Sequence, residues 1–264
     1  MCGGTMCPSG SEWTNVADVS GDTGGLHFEM HGHGPTLMLT HGFGATSRMW
    51  DEQIEEFTSA YRMILWDLPA HGRSPDVDAD PDRLIAHMRS VLEAEKAAPA
   101  VLIGLGVGGL LSLRFWRKYP TLVRGLILIG VMPGLRGPAA RTIWNGQIEA
   151  QARALEEGGL AALEGGAEAD PEMHENAAAL ARVARTLLIQ KDDGALGWLA
   201  EVNVPVLILV GGKDKPHLTT ADFMARTIPG ARKEVIFHGN HAATLHRPQV
   251  ANAAIRDFLA RLPP

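Results

Sequence analysis

From Leu26 onward, short apolar runs alternate with longer stretches of helical period. The runs are Leu26–Met30, Thr36–Thr40, Arg62–Trp66, Ala100–Gly104, Gly125–Gly130, Val204–Val210 and Lys233–Phe237. The middle ones are apolar throughout with little alternation, the pattern of strands covered by helices on both faces. Amphipathic stretches such as Asp80–Lys96 and Val107–Tyr119 separate them, and Pro120 stands where a proline can end a helix but not continue it. The alternation predicts an α/β protein with a mostly parallel, doubly wound sheet. His31–Pro35, between the first two runs, reads as a hairpin-like turn.

One segment breaks this rhythm. Residues 134–201 show no strand pattern, only helical sequence such as Gln147–Glu157 and Glu175–Gln190, punctuated by Gly158-Gly159 and Gly165-Gly166. A helical insertion between two strands of such a sheet is expected to act as a lid over the strand ends, where open sheets bind ligands. The predicted organisation is a flexible tail over residues 1–25 with at most an edge strand near Val16–Val19. A core at 26–133 and 202–264 and a lid at 134–201 complete it.

Composition narrows the classes. Charged residues make up 20% of the 264 and the net charge is −6, with the basic residues scattered rather than gathered into a stripe, so no nucleic-acid partner is expected. No signal-peptide pattern and no apolar stretch of about 20 residues occurs, so a soluble cytoplasmic protein without a membrane partner is the expectation. Both cysteines, Cys2 and Cys7, lie in the first seven residues and read as reduced thiols of the tail rather than a disulfide framework. His27, His31 and His33 alternate along one short segment and read as surface histidines; no metal site is expected there.

Five motifs follow strand ends. His41-Gly42-Phe43-Gly44 lets the backbone turn sharply and bring N–H groups to a ligand. Trp66–Ser74 contains Asp67, which reads as a loop-fixing acid, and His71, which reads the same way. Gly104-Leu105-Gly106-Val107-Gly108 fits the strand-to-helix elbow G-x-S-x-G at every position but the centre, where glycine replaces the serine. Gly104, Gly106 and Gly109 also fit G-x-G-x-x-G. The next strand, however, ends in Ile129-Gly130-Val131-Met132 with no acid to hold a ribose, so no dinucleotide or other cofactor is expected. Asp214 and His241 each come just after a later strand, giving the chain order elbow, acid, histidine.

With these five motifs in order, the sequence resembles the α/β-hydrolase superfamily from about Leu26 to Leu262. The likeness is to its small lidded members: esterases, enol-lactonases and related carbon–carbon-bond enzymes. The resemblance implies Asp214 as the triad acid and His241 as the base. It implies the backbone N–H groups of Phe43 and Val107 as an oxyanion hole and residue 106 as the nucleophile position. Gly106 has no hydroxyl, so an acyl-enzyme cannot form there. Ser112 is turned away along the following helix, and Ser47 reads as a helix cap.

Three readings remain. In the first, the Asp214–His241 dyad is a general base and, with the oxyanion hole, acts on a small carbonyl substrate. The chemistry is hydrolysis through water, or carbon–carbon cleavage, decarboxylation or proton transfer. In the second, Gly106 marks a disabled serine esterase or lactonase. In the third, the chain is a non-catalytic small-molecule or protein binder, as the N-myc downstream-regulated proteins are; the retained acid–histidine pair argues against it. Gly42, Met132 and Trp144 are expected to contact the substrate, with Trp198 a further wall residue. A homodimer is compatible with the resemblance.

Overall fold

The computed structural model describes residues 25–263. The expected tail, with Cys2, Cys7 and the segment Val16–Val19, lies outside the described residues apart from Gly25. Strands β1 (Phe28–His31), β2 (Thr36–Thr40), β3 (Arg62–Trp66), β4 (Ala100–Leu105), β5 (Val123–Ile129), β6 (Val206–Gly211) and β7 (Arg232–Ile236) form one sheet in the order β1-β3-β2-β4-β5-β6-β7. All neighbours pair parallel except β1, which runs antiparallel to β3. The α/β-hydrolase fold read from the motifs is the fold observed.

Side-chain alternation explains the layers. Leu37 and Leu39 of β2 pack into one cluster with Phe57, Ile255 and Phe258, whereas Met38 packs into the other with Leu84, Leu111 and Met224. The first cluster belongs to the face covered by α1 (Asp51–Phe57) and, at the C-terminus, Pro248–Leu259. The second is covered by α2 (Pro81–Ala94), α3 (Val107–Lys118) and the helix Lys215–Thr227. Asp80 caps α2 by accepting from the N–H groups of Asp82 and Arg83, with Pro81 at the first helical position, so the helix starts where the sequence signals it.

The hairpin expectation fails. β1 and β2 are not neighbours, because β3 lies between them. The connector turns at Gly32 and Gly34 with positive φ, and a Cβ on Gly32 would stand 2.4 Å from the Tyr61 carbonyl oxygen. The turn is thus packed on the residues that lead into β3, and the slot beside β1 is filled by that later strand. His27 and His31 are also not surface groups: their rings are 12% and 10% exposed and both bond Glu29 at 3.2 Å.

Between β5 and β6 the chain forms α4 (Pro138–Gly158), short 3₁₀ turns and α5 (Ala177–Leu187). α4 begins nine residues before the predicted Gln147, at Pro138, just after Gly137 with φ 81°. Its first turns carry no apolar stripe, and Ile143 is 67% exposed, so hydrophobic period gave no sign of the early start. Arg185 of α5 reaches back to Glu149 and Glu156 of α4, clamping the two helices together. No helix among the described residues is long and apolar enough to cross a membrane.

Candidate functional site

The sheet's carboxyl ends bring the motifs together. β4 passes through Gly106, at φ 53° and ψ −115°, directly into α3. A Cβ on Gly104 would lie 2.3 Å from Gly108 backbone, and one on Gly108 would lie 2.3 Å from the Thr40 carbonyl oxygen. Those contacts are with backbone that cannot give way, so both flanking glycines are dictated by the close approach of β4, α3 and β2. At Gly106 a Cβ would meet only the His241 ring, with Nε2 at 3.3 Å.

Two loops converge on that ring. Gly211 ends β6, and a Cβ there would stand 2.0 Å from the Asn240 carbonyl oxygen, so the two loops approach backbone to backbone. The Lys213 N–H donates to the Gly239 carbonyl at 2.8 Å and fastens them. Asp214 accepts from His241 Nδ1 at 2.7 Å through one oxygen and from His217 Nδ1 at 2.8 Å through the other. An ionised carboxylate only accepts, so each Nδ1 carries the proton and Nε2 of a neutral His241 is a free base facing Gly106. Burial works to raise Asp214, but the bonds from His217 and His241 overcome it and hold the carboxyl well below its usual range. Burial likewise pulls His241 down, yet the Asp214 bond and the Glu168 charge leave it above its ordinary value.

His217 was not singled out in the sequence. The signal was available: it follows Asp214 by three residues at the start of the helix Lys215–Thr227, and that spacing puts both on one face. Asp214, His217 and His241 also present ligand-type atoms within 4.8 Å of one another. Here the two Nδ1 atoms are satisfied by the carboxylate, so hydrogen bonding accounts for the arrangement.

The His41–Gly44 turn is pinned by three buried or nearly buried histidines. His41 Nδ1 donates to the Gly42 carbonyl at 2.7 Å and its Nε2 accepts from the Leu68 N–H. His71 Nε2 accepts from the Gly44 N–H at 3.1 Å while its Nδ1 donates to the Pro69 carbonyl. His174, from the segment between α4 and α5, donates from Nε2 to the Gly44 carbonyl at 2.9 Å. Burial lowers His41, and lowers His71 strongly, which suits rings that donate at one nitrogen and accept at the other. Both neighbours of Phe43 are therefore fixed, and with them the direction of its N–H. Val107 is the first residue of α3, so its N–H is among those a helix cannot satisfy internally.

Asp67 accepts from the Ser47 and Arg73 N–H groups, the loop-fixing task read from its motif. Ser47 itself is the buried first residue of a 3₁₀ turn and caps nothing; its backbone N–H rather than its hydroxyl is the bonded group. Ser112 is buried and donates to the Gly108 carbonyl.

A cavity of about 180 Å³ opens at this point, lined by Gly106, Val107, Phe43, Met132, Trp144, Ile148, Glu168, His217 and His241 among others. Met132 and Trp144 stand on its wall, and the Trp144 indole N–H is held by the Leu188 carbonyl at 2.7 Å. Gly42 does not line it but lies beside Glu168. Trp198 packs against the core instead of the cavity. Glu168 comes from the segment between α4 and α5, is 15% exposed, and places Oε1 3.8 Å from His241 Nε2. No local signal marked it, since it is one of 30 acidic residues in the chain and lies in a stretch without period.

Comparison with known proteins gives a consistent picture. Residues 37–254 match the profile described as "Alpha/beta hydrolase family". A pimeloyl-[acyl-carrier protein] methyl ester esterase from Stenotrophomonas maltophilia is 29% identical over 90% of this chain and 98% of its own. A putative carbamate hydrolase, RutD, from Pseudomonas savastanoi pv. phaseolicola is 25% identical over 89% of this chain and 97% of its own. The solved structure of MenH from S. aureus superposes with a TM-score of 0.80 at 23% identity, covering 89% of this chain and 98% of that one, a likeness of fold.

Proposed function

The chain belongs to the alpha/beta hydrolase family, and from that premise we propose that it hydrolyses a small carbonyl compound without a side-chain nucleophile. His241, oriented by Asp214, takes a proton from water seated over Gly106. The Phe43 and Val107 N–H groups stabilise the oxyanion as the water oxygen bonds the carbonyl carbon. The observation that carries this reading is the Nε2 of His241 facing the side-chain side of Gly106, 3.3 Å from where a Cβ would stand. Positioned general-base catalysis contributes ~10²–10⁴-fold and each oxyanion donor ~10²–10³-fold. An activated ester, lactone or carbamate is within reach of these factors multiplied together. Hydrolysis is preferred to carbon–carbon cleavage because the relatives named above are an esterase and a hydrolase. The cavity of about 180 Å³ suits a modest, largely apolar acyl group.

The surroundings of Gly106 also favour a second reading, since an added Cβ would meet only the His241 ring, which must give by a few tenths of an ångström, and a disabled serine hydrolase would retain that geometry. Paired kinetics separates the two. On activated esters, lactones and carbamates the protein is expected to turn over, and His241→Ala to lose ~10²-fold or more. Activity in Gly106→Ser alone, with an initial burst, would establish the second reading instead. Silence from both would point to a binding protein.

A further inference from the structure

We propose that Glu168, on the helical segment over the sheet, is a catalytic acid that works opposite His241 and protonates the leaving group. The proposal rests on the nucleophile-free hydrolysis above. Its basis is placement: Glu168 Oε1 lies 3.8 Å from His241 Nε2 and 3.3 Å from where a Cβ on Gly42 would stand, between the base and the oxyanion turn. The carboxyl lines the same cavity as Gly106, Phe43 and Val107. The backbone holds it there, since the Asp170 N–H donates to the Gly44 carbonyl at 3.0 Å and His174 donates to the same oxygen.

Chemistry supplies the reason for an acid at this point. A serine hydrolase uses its histidine twice, as base toward serine and then as acid toward the leaving group. In direct attack by water, His241 holds the water's proton on Nε2, beside the attacking oxygen, and the leaving oxygen still needs one. An ionised carboxylate next to the oxyanion turn would also repel the developing negative charge, so the productive form carries its proton on Glu168. Burial raises this carboxyl above the usual range, against the opposing pull of His241 and His217, while the Asp214 charge adds to the rise.

The step balances. His241 Nε2 accepts a proton from water as the water oxygen bonds the carbonyl carbon, and the carbonyl electron pair moves onto oxygen. The carbonyl then re-forms, the bond to the leaving oxygen breaks, and Glu168 delivers its proton to that oxygen. The imidazolium returns its proton to the Glu168 carboxylate across the cavity. One water is consumed, and one acid and one alcohol are released.

The test is the dependence on leaving group. A p-nitrophenolate departs without protonation, whereas a methoxide does not. In Glu168→Gln, kcat for a methyl ester should fall ~10²-fold or more while kcat for the matching p-nitrophenyl ester falls by less than ~10-fold. The parent's rate depends on one proton shared by His241 and Glu168, in the field of Asp214 and His217, and should decline at high pH as that proton is lost. Glu168→Gln should abolish this decline. Added acetate should restore methyl-ester hydrolysis to Glu168→Ala, which a merely structural role would not allow. Equal losses on both esters, no loss, a gain in rate from removing an obstructing side chain, or failure of rescue would overturn the proposal. A parent inactive on both esters would instead defeat the hydrolytic reading beneath it.

Discussion

Single residues set the chemistry. Gly106 removes the hydroxyl but keeps the backbone turn, and His241 presents Nε2 to it because Asp214 holds its other nitrogen. As the proposed base, His241 works only when neutral. Its acidity is shifted so that the proton leaves above the ordinary histidine value of 6.5, the Asp214 bond and Glu168 charge outweighing burial. With Glu168→Gln removing the second titrating group, activity is therefore expected to rise with pH to a plateau as His241 loses its proton, where the parent passes through a maximum. Asp214→Asn removes both the charge and the acceptor for Nδ1–H. The acid limb of the pH–rate profile should move to lower pH and kcat should fall ~10²–10⁴-fold. An unchanged midpoint would show that Asp214 does not govern the base. At this scale Asp214, His241 and Gly106 were legible because each follows a strand end in a fixed order. Glu168 was not, because its place beside His241 arises from packing of a periodless segment across the sheet.

Elements place these residues. The elbow exists because β4, α3 and β2 come so close that glycine is required at two positions, and this was readable from the G-x-x-x-G spacing. Gly108→Ala should therefore cost ~2–4 kcal/mol, as its Cβ meets backbone rather than a movable side chain. Gly146→Ala, inside α4 with open space around the site of the Cβ, should gain ~0.5–1 kcal/mol. Denaturant melts of the two variants check both signs; a neutral Gly108→Ala would show that the elbow is looser than described. Runs of apolar sequence located every strand of the sheet to within a few residues, and for the central strands burial on both faces leaves an uninterrupted signal. They could not give the partner of β1. A turn rich in glycine is compatible with a hairpin or a crossover, and the contact with Thr58 and Tyr61 decides it. The start of α4 was hidden for the opposite reason, because its first turns face solvent and carry no stripe.

The whole molecule joins a sheet, whose loops carry Gly106, Asp214 and His241, to a helical segment that carries Glu168 and His174. His174 and Asp170 bond the Gly44 carbonyl, so the segment between α4 and α5 also braces the His41–Gly44 turn. The family and fold followed from five motifs in order, whereas the meeting of segment and turn depends on contacts more than a hundred residues apart in sequence. The central claim is that this assembly turns over substrate without ever becoming acylated. Intact-mass spectrometry of samples quenched during turnover of an activated ester tests it directly. The expected result is product release with the protein at its unmodified mass, while Gly106→Ser accumulates the acyl adduct. An acyl adduct on the unsubstituted protein that forms and decays at the turnover rate would contradict it, placing the nucleophile on a side chain elsewhere in the chain.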